Sequence, residues 1–173
     1  FCVMLAGLNL SPVLAKAAAN VPVLGGLFRV LTFANYDKTE DSIDYSISVP
    51  EVEAESMLAE KVNTAIQEKV DRHLAKAQRD WDEYREAFFA TGGTEDEWGS
   101  REMDVIIHYE IMSQTEERVS FIMYFAEGWV TSQEERYYYN LDFARNRELV
   151  LGDFLGEDWV SVCNASIQRQ IDE

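Results

Sequence analysis

The chain has 173 residues, 47% of them hydrophobic, enough for one ordinary domain with a core of its own. Its formal charge is −17 and unevenly placed: the first 35 residues hold Lys16 and Arg29 and no acid, so residues 36–173 carry all 32 Asp and Glu against 13 Lys and Arg. A body so acidic repels a phosphate backbone, which excludes nucleic acid as a partner and leaves a cationic partner or a plainly solvated surface.

The apolar run Phe1–Leu10 is shorter than the roughly 20 residues a bilayer span needs, so it is expected to be the outer end of a span or the apolar part of a signal-type segment. Ser11 then offers a helix cap and Pro12 suits the first helical position, where a missing N–H costs nothing. Ala15 to Ala19 favour helix, Asn20 suits a left-handed end, and Pro22 prevents continuation. Leu24, Leu27, Phe28 and Leu31 follow at helical spacing and predict a second short apolar helix, so residues 11–35 are expected to form a juxtamembrane helical segment.

Residues 36–173 are expected to form the acidic body. Ile43, Tyr45, Ile47 and Val49 alternate with Asp44, Ser46 and Ser48, the pattern of a half-buried strand that Pro50 is expected to end. From Leu58 to Phe88, through Val62, Ile66, Val70, Ala77 and Trp81, apolar residues recur at steps of three or four, which predicts one long amphipathic helix. Gly92 and Gly93 supply its stop. Three alternating runs follow, around Val105–Ile111, Val119–Phe125 and Tyr137–Phe143; the first two are joined by a hairpin and the last two by a longer connection. A short turn at "LGDF" and a final helix after Asp158 complete the chain. The expected class is α+β: an antiparallel meander packed on one long amphipathic helix, with short N-terminal helices and a C-terminal helix.

Chemistry is sparse in this pattern. No HExxH, GxSxG, P-loop or GxGxxG is present. His73 sits at the edge of the helix stripe, and His108 lies on the outward row of its strand beside Asp104 and Glu110; without a second His or Cys at ligand spacing, neither predicts a metal. Cys2 and Cys163 form no CxxC and are expected to be inert thiols. The acid pairs Glu116–Glu117 and Glu134–Glu135 are expected in turns, as solvated charge and not as a catalytic dyad, and the Asn164 sequon falls on a predicted helix. The expectation is a protein without catalytic residues, cofactor or metal.

Four stretches carry a resemblance: "VPVLGGLFRVLTFANYD", "AEKVNTAIQEKVD", "EAFFATGGTEDEW" and, most specifically, "YYYNLDFARNRELVLGDFLGEDW". With them the chain resembles the extracellular part of the anti-sigma-V factor (RsiV-like) family of Gram-positive bacteria, and it is similar to the domain that accompanies PdaC-type peptidoglycan deacetylases. The resemblance implies a single-span membrane protein whose outward domain binds lysozyme, whose stalk is then cut by signal peptidase, and whose cytoplasmic segment (not part of this sequence) holds an ECF sigma factor. It brings no deacetylase domain, and so no catalysis.

Within that reading the Ser11–Pro22 stretch acquires a second meaning. Signal peptidase selects small residues at the third and first positions before the cut: Val13 and Ala15 fit a cut before Lys16, and Ala15 and Ala17 fit one before Ala18. A helix docked on the body would hide such a site; a merely structural juxtamembrane helix is the alternative. For the partner, lysozyme or another cationic protein, the candidate contacts are Trp129 beside Glu134 and Glu135, with a solvated hairpin tip as the plain alternative. The rival function is a non-catalytic cell-envelope or peptidoglycan-binding module of a deacetylase-like or secreted protein.

Overall fold

The computed structural model describes residues 28–128 and 133–172. It opens on a hairpin, β1 (Phe28–Glu40) and β2 (Ile43–Ala54), turned by Asp41 and Ser42 at positive φ values of 52° and 63°. Two successive left-handed residues give a turn whose twist matches that of the flanking strands. The expected helix over Leu24–Leu31 is corrected here: Phe28–Leu31 are strand, as are the residues that follow to 35, while Leu24 and Leu27 lie outside the described residues. The helical spacing was shared with an alternating pattern, and pairing decides between them: Val30 faces Val52 across the hairpin and both are buried, which a helix could not offer.

Pro50 does not end its strand either. Thr32 pairs with Pro50 and Ala34 with Val49, so Phe33 is an extra residue bulged from β1. The bulge shifts the inward phase of the ladder, which is why Val49, Pro50 and Val52 are all buried; a proline is tolerated where the ladder is already interrupted.

The long helix α1 (Met57–Ala90) runs 34 residues, about 51 Å, with no Gly or Pro inside it. Ser56 caps it, its side chain accepting the Ala59 N–H at 3.1 Å. Beyond the Thr91 cap, Gly92 takes φ +94°, a conformation that a side chain would strain. A one-turn helix, α2 (Glu95–Trp98), follows under a Thr94–Glu97 capping box and drives Trp98 against Trp81, ring centres 4.9 Å apart.

The helix is a crossover. It returns the chain to β3 (Met103–Gln114), which pairs parallel with β2 from Ile43↔Met103 to Ile47↔Ile107. The remaining strands, β4 (Arg118–Gly128), β5 (Gln133–Asp142) and the two-residue β6 (Arg147–Glu148), are antiparallel, and the sheet keeps sequence order from β1 to β6. The α+β class is therefore as the pattern indicates, with one parallel step inside an otherwise antiparallel sheet.

The core lies between sheet and helix. Ile43, Ile47, Val105, Ile107, Phe121 and Phe125 meet Leu58, Val62, Ile66, Val70, Ala77 and Trp81 there. A large side chain buried this completely contributes about 1.5–3 kcal/mol relative to exposure, so the predicted stripe is what holds the helix down. Leu74, Tyr84 and Phe88, at the stripe's margin, are only partly buried. The last two helices, α3 (Leu151–Leu155) and α4 (Trp159–Asp172), contain no buried residue.

Candidate functional site

The sequence-derived candidates do not converge. Val13, Ala15, Lys16, Ala17 and Trp129 lie outside the described residues. Glu134 and Glu135 are in β5 and not in a turn, which corrects that expectation, and as strand neighbours they point to opposite faces. Glu134 accepts from Arg136 Nε at 2.5 Å, while Glu135 accepts from the Tyr137 hydroxyl at 2.7 Å. That bond to the carboxylate, with burial second, raises the Tyr137 hydroxyl above its ordinary pKa. The two carboxylates thus anchor neighbours and form no shared site.

Of the two histidines, His73 packs edge-on against Phe125, ring centres 5.2 Å apart, inside the helix–sheet contact. His108 stacks on Tyr124 at 4.4 Å, and Arg136 lies over the other side of that ring at 5.4 Å. These three residues are paired across β3, β4 and β5, so they form one rung of the uncovered sheet face. Tyr124 also donates to Glu110 at 3.3 Å, and Tyr138 on the same face is 60% exposed. Burial first, then the Glu110 charge, raises the Tyr124 hydroxyl. Among the described residues no group of three His, Cys, Asp or Glu is placed to hold a metal, and no helix is long and apolar enough to cross a membrane.

Among the described residues a concavity lies elsewhere. A groove of about 870 Å³ runs between the end of β2, the first turns of α1, the β3–β4 hairpin and the residues after β5. Its rim carries Glu51, Glu53, Glu55, Glu60, Glu116 and Glu117, and no Lys, Arg or His among the described residues lines it. Its floor is apolar, from Val52, Ala54, Ala59, Phe143 and Ala144. Hydrogen bonds hold its two walls. The Asn63 amide clamps Val52 from both sides, accepting its N–H at 2.8 Å and donating to its carbonyl at 2.9 Å. Phe143 N–H donates to the Glu117 carbonyl at 2.8 Å, tying the far wall together. One edge is thus fixed to the helix and the other to the hairpin.

Sequence reasoning missed this groove. The alternating Glu51, Glu53 and Glu55 were a visible signal, but ending the strand at Pro50 removed them from the sheet, and nothing in the sequence placed the distant Glu116–Glu117 pair opposite them. The concentrated negative charge over an apolar floor suits a cationic, partly apolar segment.

No protein-family model matches the chain, and no curated protein matches it. Among solved structures, a DUF3298 family member from Bacteroides fragilis NCTC 9343 is similar at 11% identity and a TM-score of 0.48, over 74% of this chain and 61% of that one. A DUF3298 family protein from Pseudomonas aeruginosa PAO1 is similar at 10% identity and a TM-score of 0.37, over 73% of this chain and 56% of its own length.

Proposed function

We propose that the chain is the outward-facing sensing domain of a membrane-bound anti-sigma factor, which binds a cationic protein, lysozyme, and is then cut by signal peptidase near Ala15–Ala17. The resemblance of four stretches to the anti-sigma-V factor family supports this reading, and the observation that carries it is the acid-rimmed groove within a body of 32 acids and 13 bases. Opposite charge speeds the encounter of such a body with a basic protein and makes that encounter sensitive to salt. Titration of the purified chain with lysozyme at low and moderate ionic strength is the direct test. Binding that weakens with salt is expected; no binding at low salt would retire the reading. Cleavage is tested separately: a bulky residue at Ala15 together with one at Ala17 should abolish lysozyme-triggered cutting.

A second reading has its own support. The uncovered sheet face presents Tyr124, Tyr138 and His108 beside Arg136 and Glu110, a mixture of ring surfaces and hydrogen-bonding groups suited to a glycan. A cell-envelope or peptidoglycan-binding module would use it. Soluble peptidoglycan fragments that shift Tyr124 and Tyr138 resonances, with lysozyme inert, would favour that reading.

A further inference from the structure

We propose that the pocket at the far end of the long helix is a saccharide site that takes one neutral pyranose ring. It measures about 270 Å³ and is lined by Asp41 and Ser42 of the β1–β2 turn, by Trp81, Asp82 and Arg85 of α1, and by Trp98 of α2. It shares no residue with the acid-rimmed groove or with the Tyr124 rung, so it rests on neither the sensor nor the sheet-face reading.

The turn is the first observation. A turn whose two central residues both sit at positive φ is ordinarily Asn-Gly, Asp-Gly or Gly-Gly, because glycine takes that conformation at no steric cost. This one carries Asp41 at φ 52° and Ser42 at φ 63°. Main-chain ties hold both in place: the Trp81 indole N–H donates to the Asp41 carbonyl at 3.0 Å, and the Met103 N–H to the Ser42 carbonyl at 3.1 Å. Neither tie uses the Asp41 or Ser42 side chain, and both of those side chains line the pocket. Residues kept in so costly a conformation cluster at ligand sites.

The second observation is convergence. Among the described residues the Asp41 carboxylate, the Ser42 hydroxyl and the Arg85 guanidinium make no hydrogen bond and no ion pair. Asp82 accepts from Gln78 Nε2 at 3.2 Å through Oδ1, which leaves Oδ2 for a ligand. Arg85 stands three positions after Asp82 on the helix, a spacing at which opposite charges can meet, yet its guanidinium lies over the Phe89 ring at 5.7 Å. The floor is indole, with the buried Trp81 and Trp98 rings 4.9 Å apart.

These groups select the ligand. Two carboxylates disfavour an anion, and the guanidinium disfavours a cation. A neutral hydroxylated ring satisfies both, since its hydroxyls donate to Asp41 and Asp82 while its oxygens accept from Arg85 and Ser42. The less polar face of the ring meets the indole surface. The volume lies just under the roughly 300 Å³ at which drug-sized sites begin, so the pocket admits one ring and not a chain. Because the two main-chain ties fix its walls beforehand, little ordering is left to the ligand.

Nuclear magnetic resonance titration of the full chain, isotope-labelled in its tryptophan indoles, tests the site. The probes are N-acetylglucosamine and methyl glucoside, with butylammonium and glucuronate as charged comparisons. At least one neutral sugar should move the Trp81 and Trp98 indole resonances saturably, with a Kd on the order of millimolar, and leave Trp159 unmoved. Both charged probes should bind about tenfold more weakly. Arg85→Leu should weaken sugar binding about tenfold and Ser42→Gly about threefold, as expected for losing a charged and a neutral hydrogen-bonding partner. Should Arg85→Leu fail to fold, Asp82→Asn takes its place, and Ser42→Gly, which suits the turn, remains. Sugar binding undiminished in every folded variant would overturn the proposal, as would tighter binding of either charged probe or still Trp81 and Trp98 resonances with both sugars. Sugar shifts confined to Tyr124 and Tyr138 would overturn this site and leave the sheet-face reading standing.

Discussion

Trp81 donates its indole N–H to the main-chain carbonyl of Asp41 at 3.0 Å, tying the far end of the long helix to the β1–β2 turn. The same turn is held from the other side, where Met103 N–H donates to the Ser42 carbonyl at 3.1 Å. Between these ties Asp41 and Ser42 must both sit at positive φ, a conformation that costs an ordinary residue about 1 kcal/mol. Ser42→Gly should therefore raise stability by about 1 kcal/mol in urea denaturation followed by circular dichroism. Trp81→Phe, which strands the Asp41 carbonyl, should lower it by about 1–3 kcal/mol. A destabilising Ser42→Gly would mean that Ser42 is not held at positive φ in solution.

Tyr139 is 6% exposed, stacked on Phe121 at 4.7 Å, and its hydroxyl has no hydrogen-bond partner among the described residues. Burial, with the nearby Glu148 charge second, pushes that hydroxyl up to about 12. The folded protein thus holds the phenol proton more tightly than the unfolded chain, whose phenol titrates near 10. The stability from this group is complete below pH 10 and is lost as pH rises from 10 toward 12, by on the order of 2–3 kcal/mol. Tyr139→Phe removes an unpaired buried hydroxyl and keeps the ring. It should be neutral to about 1 kcal/mol stabilising at pH 7, and it should flatten the alkaline loss of stability.

What was legible in the sequence followed from strong single patterns. The stripe from Leu58 to Trp81 could only be a helix, and the rows at Val105–Ile111 and Val119–Phe125 could only be strands, because each repeats one period over many residues. The strand at 28–40 was not legible. Its inward row contains Thr32 and Ala34, and Phe33 bulges out 52% exposed, so the alternation was diluted where Leu24–Leu31 offered a competing helical period. The groove was not legible because it depends on that bulge. By shifting the phase at Pro50 the bulge carries Val52 inward, and the strand continues to Ala54 past glutamates that otherwise read as a loop. The parallel step between β2 and β3 is likewise a property of the crossover, which periodicity does not encode.

Asp142 is the one fully buried acid among the described residues. Burial alone would raise its pKa, but the Arg145 backbone N–H at 3.0 Å and the Arg118 guanidinium at 3.1 Å outweigh it and hold the carboxyl below its ordinary range. A depressed carboxylate contributes stability that is present above its unfolded pKa, near 3.8, and is lost as pH falls through the lower folded value. Asp142→Asn should therefore destabilise the protein at pH 7 and reduce the steepness of acid unfolding below pH 4. A variant with unchanged stability at pH 7 would show that the two arginines are satisfied by solvent.

The final helix behaves as an appendage in energetic terms. Trp159, Val160, Val162, Cys163, Ile167 and Ile171 lie within one half of its circumference, yet Ile167 is 55% and Ile171 71% exposed, and no residue of α4 is buried. A 14-residue helix is marginal by itself in water, so little of the body's cooperativity can pass through it. Ile167→Lys together with Ile171→Glu should leave the urea midpoint within about 0.5 kcal/mol of the parent while reducing binding of a hydrophobic dye. Phe121→Ala, in the sheet's buried row, should cost about 3–5 kcal/mol. Comparable losses from the two sets of substitutions would mean that the exposed stripe of α4 is packed onto the core in solution.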